Sequence, residues 1–189
     1  MSRRQLEGRK SKAQEKARAI LDTYWPQMDG EMLWNRKVNN GFTTIPRTMP
    51  LIMGVIDSLT KNTPAGQAYL ALWCRAFDEP LVVIENPLVL ATDSGFSGER
   101  AVTTWKGRMK LLLELGFIDA KEGSAGAFHY VLLWNPHKVL WQLRDKIQDR
   151  LFVQVLDRAL DVGATDMSVG LQVTKDVEKK QSSRTKKAN

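Results

Sequence analysis

The sequence has few of the residues that metal sites, disulfides and membrane spans require. It contains one cysteine, Cys74, and two histidines, so it offers neither an intramolecular disulfide nor a cysteine–histidine metal cluster. No apolar run approaches the roughly 18 residues that span a bilayer, and the N-terminus lacks the apolar segment of a signal peptide. We therefore expect no metal and no membrane insertion, and we predict a cytoplasmic protein in which Cys74 is buried and unreactive.

Conventional catalytic motifs are missing as well. The sequence gives no basis for a Ser/His/Asp grouping, and it has no phosphate-cradling Gly-Lys-Ser/Thr motif. Its carboxylates do not follow a metal-ligand spacing. This pattern favours binding over catalysis, so no cofactor and no catalytic residue are expected.

Positive charge is concentrated at the two ends of the chain. The net charge is +7, but residues 1–18 have seven basic and two acidic side chains, and residues 175–189 have six basic and two acidic ones. Residues 19–174 are left with a net charge of −2. Basic ends of this kind either bind nucleic acid through counterion release or only solubilise the protein, and the sequence leaves both alternatives open.

The middle of the chain has a regular succession of helix and strand patterns. Apolar spacing predicts helices over 48–61, 65–78 and 98–115, and Asn86 with Pro87 predicts a helix that ends near Ser94, before Gly95. Short apolar runs predict strands at 81–84, 117–121 and 128–134, the last two joined by a glycine-rich hairpin. The predicted fold class is therefore mainly α with a small β-hairpin (α+β).

The helix predicted over 98–115 combines an apolar face with a basic face. Val102, Trp105, Met109 and Leu112 follow helical spacing, and the stretch 99–110 has four basic side chains and one acid. We predict that Ser97 caps this helix and that the Gly98 amide binds a phosphate oxygen of DNA. Arg100 is expected to contact a base edge, and Lys106, Arg108 and Lys110 are expected to contact the DNA backbone. The candidate DNA-binding residues are Ser97, Gly98, Arg100, Thr103, Thr104, Lys106, Arg108 and Lys110, with Gly107 as a small residue that permits close approach.

Residues 65–135 resemble the winged helix-turn-helix superfamily of DNA-binding domains. Leu90-Ala91 and Gly95-Phe96-Ser97 are similar to its helix-turn, and Leu115-Gly116-Phe117-Ile118 is similar to the exit into its wing. The resemblance implies a second helix that enters the DNA major groove. It also implies a wing, whose candidate residues here are Lys121 and Ser124. His129 is expected to be a packed strand residue beside the wing.

The flanking segments complete the predicted domain organisation. Residues 1–18 are predicted to be a basic flexible arm, 19–62 an N-terminal helical extension with a short helix near 31–37, and 63–135 the winged helix-turn-helix. Residues 136–163 are predicted to form one long amphipathic helix capped by Asn135, and 164–189 a basic flexible tail. So long a helix either packs across the domain or forms a homodimer interface.

Three functions remain open at this stage. The leading one is a double-stranded DNA binder of plasmid or phage type, acting in transcription regulation or as a replication or partition accessory factor. In the second, Gly98-Glu99-Arg100-Ala101 after Pro80-Leu-Val-Val83 resembles the box of the ParB/sulfiredoxin fold. That resemblance implies conjugation inhibition with ATPase or DNase activity, in which Glu99 and Arg100 act with ATP and a divalent metal.

The third function is a protein-interaction module that docks a component of a transfer or replication apparatus. These alternatives predict different experimental results. Sequence preference in DNA binding that depends on Arg100 favours the first function. Metal-dependent DNA degradation that is lost on Glu99→Gln favours the second.

Overall fold

The structure is a computed structural model that describes residues 3–27 and 32–167. Its contacts divide the chain into two compact units, residues 1–42 and 43–189. No helix in the described ranges is both long enough and apolar enough to cross a membrane. The predicted N-terminal extension of 19–62 is therefore divided, because residues 43–62 belong to the second unit.

Within its described residues, the first unit contains one α-helix, α1, which spans Arg3–Tyr24. The stretch predicted as a basic flexible arm, 1–18, is helical over residues 3–18. The stretch lacks proline and is rich in alanine, lysine, arginine and glutamate, all of which are strong helix formers, and this propensity extends the helix across the predicted boundary.

The short helix predicted near 31–37 does not continue through the described residues 32–37, where Met32 is in a 3₁₀ conformation and the rest is bend, irregular chain and turn. Asn35 accepts a hydrogen bond from the Lys37 backbone N–H at 2.9 Å, and Asn39 accepts one from the Asn35 N–H at 2.6 Å. Asparagine side chains that bond to nearby backbone groups compete with helix formation. These two side-chain hydrogen bonds explain why the predicted helix does not form over these residues.

The second unit contains six helices and three strands within its described residues, and the α+β class is confirmed. In chain order they are α2 Met49–Thr60, α3 Gly66–Arg75, β1 Leu81–Val83, α4 Pro87–Asp93, α5 Ala101–Glu114, β2 Ile118–Gly123, β3 Gly126–Leu133, α6 Pro136–Gln142, a 3₁₀ turn at Arg144–Lys146, and α7 Asp149–Val162.

The strands form one antiparallel sheet in the order β1-β3-β2. Val82 pairs with Val131 on one side of β3, and Ala120 pairs with Val131 on the other. The inward residues Val82, Val131 and Leu133 are buried against the helices. The hydrophobic core lies between this face of the sheet and α2, α3, α5 and α7, with Trp105, Tyr69 and Phe117 as its largest fully buried side chains.

Asparagine caps and glycine stops place most helix ends where the sequence predicted them. Asn86 accepts a hydrogen bond from the Leu88 N–H, and Asn135 accepts from the N–H groups of His137 and Lys138. Gly116 has φ +78°, so it ends α5 in a left-handed conformation that other residues seldom adopt.

The single long helix predicted over 136–163 is wrong. The chain leaves the helical conformation at Ile147 and Gln148, whose ψ angles are 135° and 133°, and α7 begins anew at Asp149. Trp141 and Phe152 meet edge to face with ring centroids 4.9 Å apart. The break lets both segments bury apolar surface in the same core, which a straight helix of that length would prevent. The dimer interface proposed for a continuous helix loses its structural basis.

The predicted tail over 164–189 begins later than expected. Residues 165–167 form a helical turn, Met167 is fully buried, and its carbonyl accepts a 3.0 Å hydrogen bond from the Trp141 indole N–H. The rest of the predicted tail, 168–189, lies outside the described residues. Burial of Met167 and the hydrogen bonds of Asp166 and Met167 to α6 and its cap hold this turn against the domain.

Candidate nucleic-acid interface

The turn between α4 and α5 fixes the angle between these helices. Gly95 has φ +82°, its N–H donates to Thr92 O at 2.9 Å, and the Phe96 N–H donates to Ala91 O at 2.9 Å. This pair of bonds is the Schellman motif that closes a helix. Both helices also pack on α3, so α5 is held in place from two sides.

The N-terminus of α5 lies three residues later than predicted. Gly98 has φ +77°, which is incompatible with helix, and the α-helix begins at Ala101. Ser97 is therefore not its cap, and the Gly98 amide is not part of the helix N-terminus. Ser97 and Gly98 are exposed in the preceding turn, and Arg100 occupies the cap position without a side-chain cap hydrogen bond.

The outer face of α5 is basic and opposite the core. Trp105, Met109 and Leu112 are fully buried on the inner side. On the outer side Arg100, Thr103, Lys106 and Lys110 are exposed, and Thr104 and Gly107 are half-exposed. From residue 100 to 110 this surface extends about 15 Å along the helix axis at 1.5 Å per residue. We call these six residues the α5 outer face.

Arg108 does not belong to the α5 outer face. Its side chain is half-buried, and its guanidinium lies over the ring of Phe96, 5.7 Å from the ring centre. Its Nε is buried and has no hydrogen-bond partner among the described residues. A guanidinium on an aromatic face gains a cation–π interaction. Arg108 therefore braces the turn between the two helices, and the predicted contact to the DNA backbone is not supported by its position.

The β2–β3 hairpin follows α5 in the chain and forms a short arm. Gly123 pairs with Gly126, so only Ser124 and Ala125 form the tip. Lys121 is exposed and lies 3.7 Å from Asp119 on its own strand. The two predicted wing residues are thus exposed, but the only lysine among them is partly neutralised by a neighbouring carboxylate.

His129 is a packing residue of the hairpin, as expected. It is buried, and its Nδ1 lies 3.0 Å from Ile84 O on the connection after β1. The backbone of Gly123 passes directly over its ring, and a Cβ at that position would lie 2.3 Å from His129 Cδ2. Only glycine fits at position 123. The His129 imidazole therefore packs under the hairpin and, through its hydrogen bond to Ile84 O, connects the hairpin to the end of β1.

A polar cluster that the sequence did not predict joins α2, α6 and the turn after α7. Thr48 Oγ1 lies 2.8 Å from His137 Nε2, and His137 Nδ1 lies 2.9 Å from Asp166 Oδ2. Asn135 donates a second hydrogen bond to Asp166 at 2.9 Å. The arrangement has the geometry of a nucleophile, base and acid, but Thr48 is 1% exposed and its hydroxyl has no access to a substrate.

Asp166 is the member of this cluster whose pKa is shifted. Its partial burial acts to raise the pKa, but hydrogen bonds from Asn135 and His137 and the charge of His137 outweigh burial and leave the pKa below its ordinary value of 3.8. The ionised Asp166 accepts from His137 Nδ1–H, and Nε2 of the same ring is hydrogen-bonded to the Thr48 hydroxyl. The residues are 29 and 89 positions apart in the sequence, so no local pattern could reveal them.

Cys74 is exposed, contrary to the prediction that it is buried. It lines a 370 Å³ cleft on α3 with Arg75 and Asp93, whose ion pair links α3 to α4. The residue lies just off the buried face of α3, which is formed by Ala68, Tyr69 and Leu72. Among the described residues no three histidine, cysteine or acidic side chains are grouped as metal ligands would be.

Comparison with known proteins gives no match: no protein-family model, no curated protein and no solved structure resembles this chain significantly. The geometry and charge of the second unit are therefore the basis for a functional proposal.

Proposed function

We propose that this protein binds double-stranded DNA through a winged helix-turn-helix formed by α3, β1, α4, α5, β2 and β3. The order helix, strand, helix, helix, strand, strand and the central position of β3 in the sheet support this assignment. In such a domain the second helix of the helix-turn-helix enters the major groove. Here that helix is α5, and the sequence-based expectation of a regulator or a replication or partition accessory factor rests on the same assignment.

The observation that carries the proposal is the location of positive charge on α5. Residues 43–167 contain 13 basic and 14 acidic side chains. Four of the bases and one of the acids fall within 99–110, which leaves a net charge of −4 for the rest of this stretch. Three of those bases, Arg100, Lys106 and Lys110, lie on the α5 outer face. A local basic surface on an otherwise acidic body orients the domain toward a polyanion.

The side chains of the α5 outer face are suited to different kinds of contact with DNA. Arg100 is at the leading end of the helix, where a guanidinium can donate two hydrogen bonds to a guanine edge. Lys106 and Lys110 are suited to phosphate contacts, which supply affinity without sequence information. Thr103 and Gly107 are small, so the helix backbone can approach the groove closely. The hairpin, with Lys121 and Ser124, adds a minor contact.

The test is a DNA-binding titration at two salt concentrations with single variants of the full chain. Arg100→Ala should reduce the affinity for a selected site by about 5- to 150-fold, equivalent to 1–3 kcal/mol, and reduce the preference over random DNA. Lys106→Ala and Lys110→Ala should weaken all sequences alike, and each should lower the slope of log affinity against log salt by about 1.

Lys138→Ala provides the matched control, because Lys138 is exposed on α6 and its removal changes the net charge by the same amount. It should leave the sequence preference and the salt slope nearly unchanged. Equal effects of Lys106→Ala and Lys138→Ala would show that binding follows net charge and would contradict the assignment of α5 as the DNA-contacting helix.

A further inference from the structure

The described part of the first unit ends in a loop that exposes aromatic rings. We call residues 32–42 the Trp34 loop. Trp34 is 66% exposed and Phe42 is 41% exposed, and their rings meet edge to face with centroids 5.9 Å apart. A tryptophan that is two thirds exposed presents at least one face of its indole to solvent. Trp34 therefore offers a flat apolar surface to a ligand.

Hydrogen bonds and ring contacts order the Trp34 loop. The Asn39 N–H donates to Asn35 O at 2.7 Å, and the Asn39 side chain accepts from the Asn35 N–H at 2.6 Å. The Arg36 guanidinium lies over the Phe42 ring, 5.8 Å from its centre. Both sides of the turn are thus tied to the aromatic pair. Because a side chain that is already ordered loses little conformational entropy on binding, Trp34 is a pre-organised surface.

The charged side chains of the Trp34 loop are all positive. Residues 32–42 contain Arg36 and Lys37 and no acid, and both cations are exposed. A guanidinium that lies over a ring retains N–H donors in its plane, so Arg36 can contact Phe42 and an anion at the same time. An open aromatic face beside two cations is complementary to a planar ring that has negative charge next to it.

Unpaired nucleotides combine a planar base with adjacent phosphates. Proteins that bind single strands stack successive bases on aromatic side chains and contact the phosphates with basic ones. We propose that the Trp34 loop binds single-stranded nucleic acid, with a base stacked on Trp34 and phosphates on Arg36 and Lys37. This function goes beyond duplex binding by α5 and does not depend on it.

Duplex DNA and membranes fit the Trp34 loop less well. In a duplex each base is stacked on its neighbours, so an aromatic ring reaches a base face only when the strand is kinked or unstacked. Residues 33–42 are bend, turn and irregular chain, which in hydrocarbon cannot satisfy its backbone groups internally as a helix does. A single strand exposes its base faces and leaves the loop hydrated, so it suits both the ring and the backbone.

The test is a titration of the full chain with oligothymidine of about 12 nucleotides, with oligouridine and with duplex DNA, at about 0.15 M salt. Trp34→Ala should weaken single-strand binding at least fivefold, because one stacked base is lost, and should leave duplex affinity within about twofold. Trp34→Phe keeps a ring and should retain most of the affinity. Trp134→Ala removes an exposed tryptophan of the second unit and should change neither affinity.

Binding of either oligonucleotide that depends on Trp34 supports the proposal, and the tighter of the two identifies the strand as DNA or RNA. Equal losses in Trp34→Ala and Trp134→Ala, or equal weakness of Trp34→Ala and Trp34→Phe, would overturn it. So would equal losses of single-strand and duplex affinity, or thymidine monophosphate that binds as tightly as the oligonucleotide. Dependence on Trp34 of binding to phosphatidylserine vesicles alone would assign the loop to a membrane instead.

Photo-cross-linking gives a readout on the unaltered chain. Oligonucleotides that contain iodouracil should cross-link to Trp34 or Phe42, as identified by mass spectrometry of the modified peptide. Cross-links confined to α1 or to the second unit would contradict the proposal.

The phosphate contact has its own matched pair of variants. Lys37→Ala should lower the slope of log affinity against log salt for the single strand by about 0.7. Lys138→Ala changes the net charge equally and should leave that slope unchanged. An unaltered slope in Lys37→Ala would show that Lys37 makes no phosphate contact and would contradict the assigned site.

Discussion

Gly107 provides a test in which fold stability and DNA affinity should change in opposite directions. It lies inside α5 on the outer face, and a Cβ added there would have no atom within 4 Å. Gly54 lies inside α2 and is exposed, and a Cβ added there would likewise have no atom within 4 Å. The two glycines therefore form a matched pair for substitution by alanine.

The expected gain in stability follows from helix propensity. Glycine in a helix interior is less favourable than alanine by about 0.8–1.0 kcal/mol, and neither substitution meets a steric clash. Gly107→Ala and Gly54→Ala should each raise the free energy of unfolding by nearly this amount. For a unit of this size the melting temperature should rise by about 3 °C.

The effects on DNA binding should differ. If the α5 backbone approaches the groove at Gly107, a methyl group there overfills the interface at a cost of about 1–3 kcal/mol. Gly107→Ala should then weaken binding about tenfold, since 1.4 kcal/mol corresponds to a factor of ten. Gly54→Ala should bind as the unaltered protein does.

The assay combines thermal unfolding with a DNA titration on the same preparations. Two results would refute the reasoning. If Gly107→Ala is more stable and binds DNA with unaltered affinity, the α5 outer face is not at the interface. If Gly54→Ala weakens binding to the same extent, the loss comes from helix rigidity and not from contact.

Three further substitutions test contacts in the hairpin, in the turn before α5 and in the polar cluster. Gly123→Ala should destabilise the fold by about 2 kcal/mol in denaturant unfolding, because its Cβ would displace the buried His129 ring, and the added change His129→Ala should recover part of the loss. Arg108→Ala should lower stability by about 1 kcal/mol through the lost contact with Phe96, while the salt slope of DNA binding stays unchanged; a lower slope would mean that Arg108 contacts phosphate. Asp166→Asn should lose about 1 kcal/mol near neutral pH. Because folding lowers the pKa of Asp166, its contribution to the free energy of unfolding is present above the ordinary pKa of 3.8 and disappears as the pH falls through the lowered pKa. The stabilities of the two proteins should therefore converge in acid. A difference in stability that stays constant with pH would contradict the assignment.

Local chemistry made much of the second unit predictable. Asn86 and Asn135 satisfy the first amides of their helices, and Gly95 and Gly116 adopt the left-handed conformation that ends a helix. Each of these effects depends on one residue and its immediate neighbours. The order of elements between α3 and β3, and with it the buried face of α5, could therefore be inferred from spacing alone.

The errors arose where distant contacts override local pattern. The apolar stripe over 136–163 is compatible with one helix, but the core can accept it only when the chain turns at Ile147 and Gln148. Arg108 has the spacing of a groove-facing residue, yet its guanidinium packs on the ring of Phe96 in the preceding turn. In the polar cluster, His137 depends on partners that only the folded chain brings to it.

The distribution of charge decides under which conditions the α5 outer face can be tested. Residues 1–42 and 168–189 each have a net charge of +4, whereas 43–167 have −1. At low salt these ends would bind any DNA and conceal the loss of one lysine from α5, because counterion release grows with the total number of phosphate contacts. Near 0.15 M salt the Debye length falls to about 8 Å, and contacts at a distance are screened. Sequence preference should therefore depend on Arg100 most clearly at physiological salt, where direct contacts on α5 outweigh the diffuse charge of the ends.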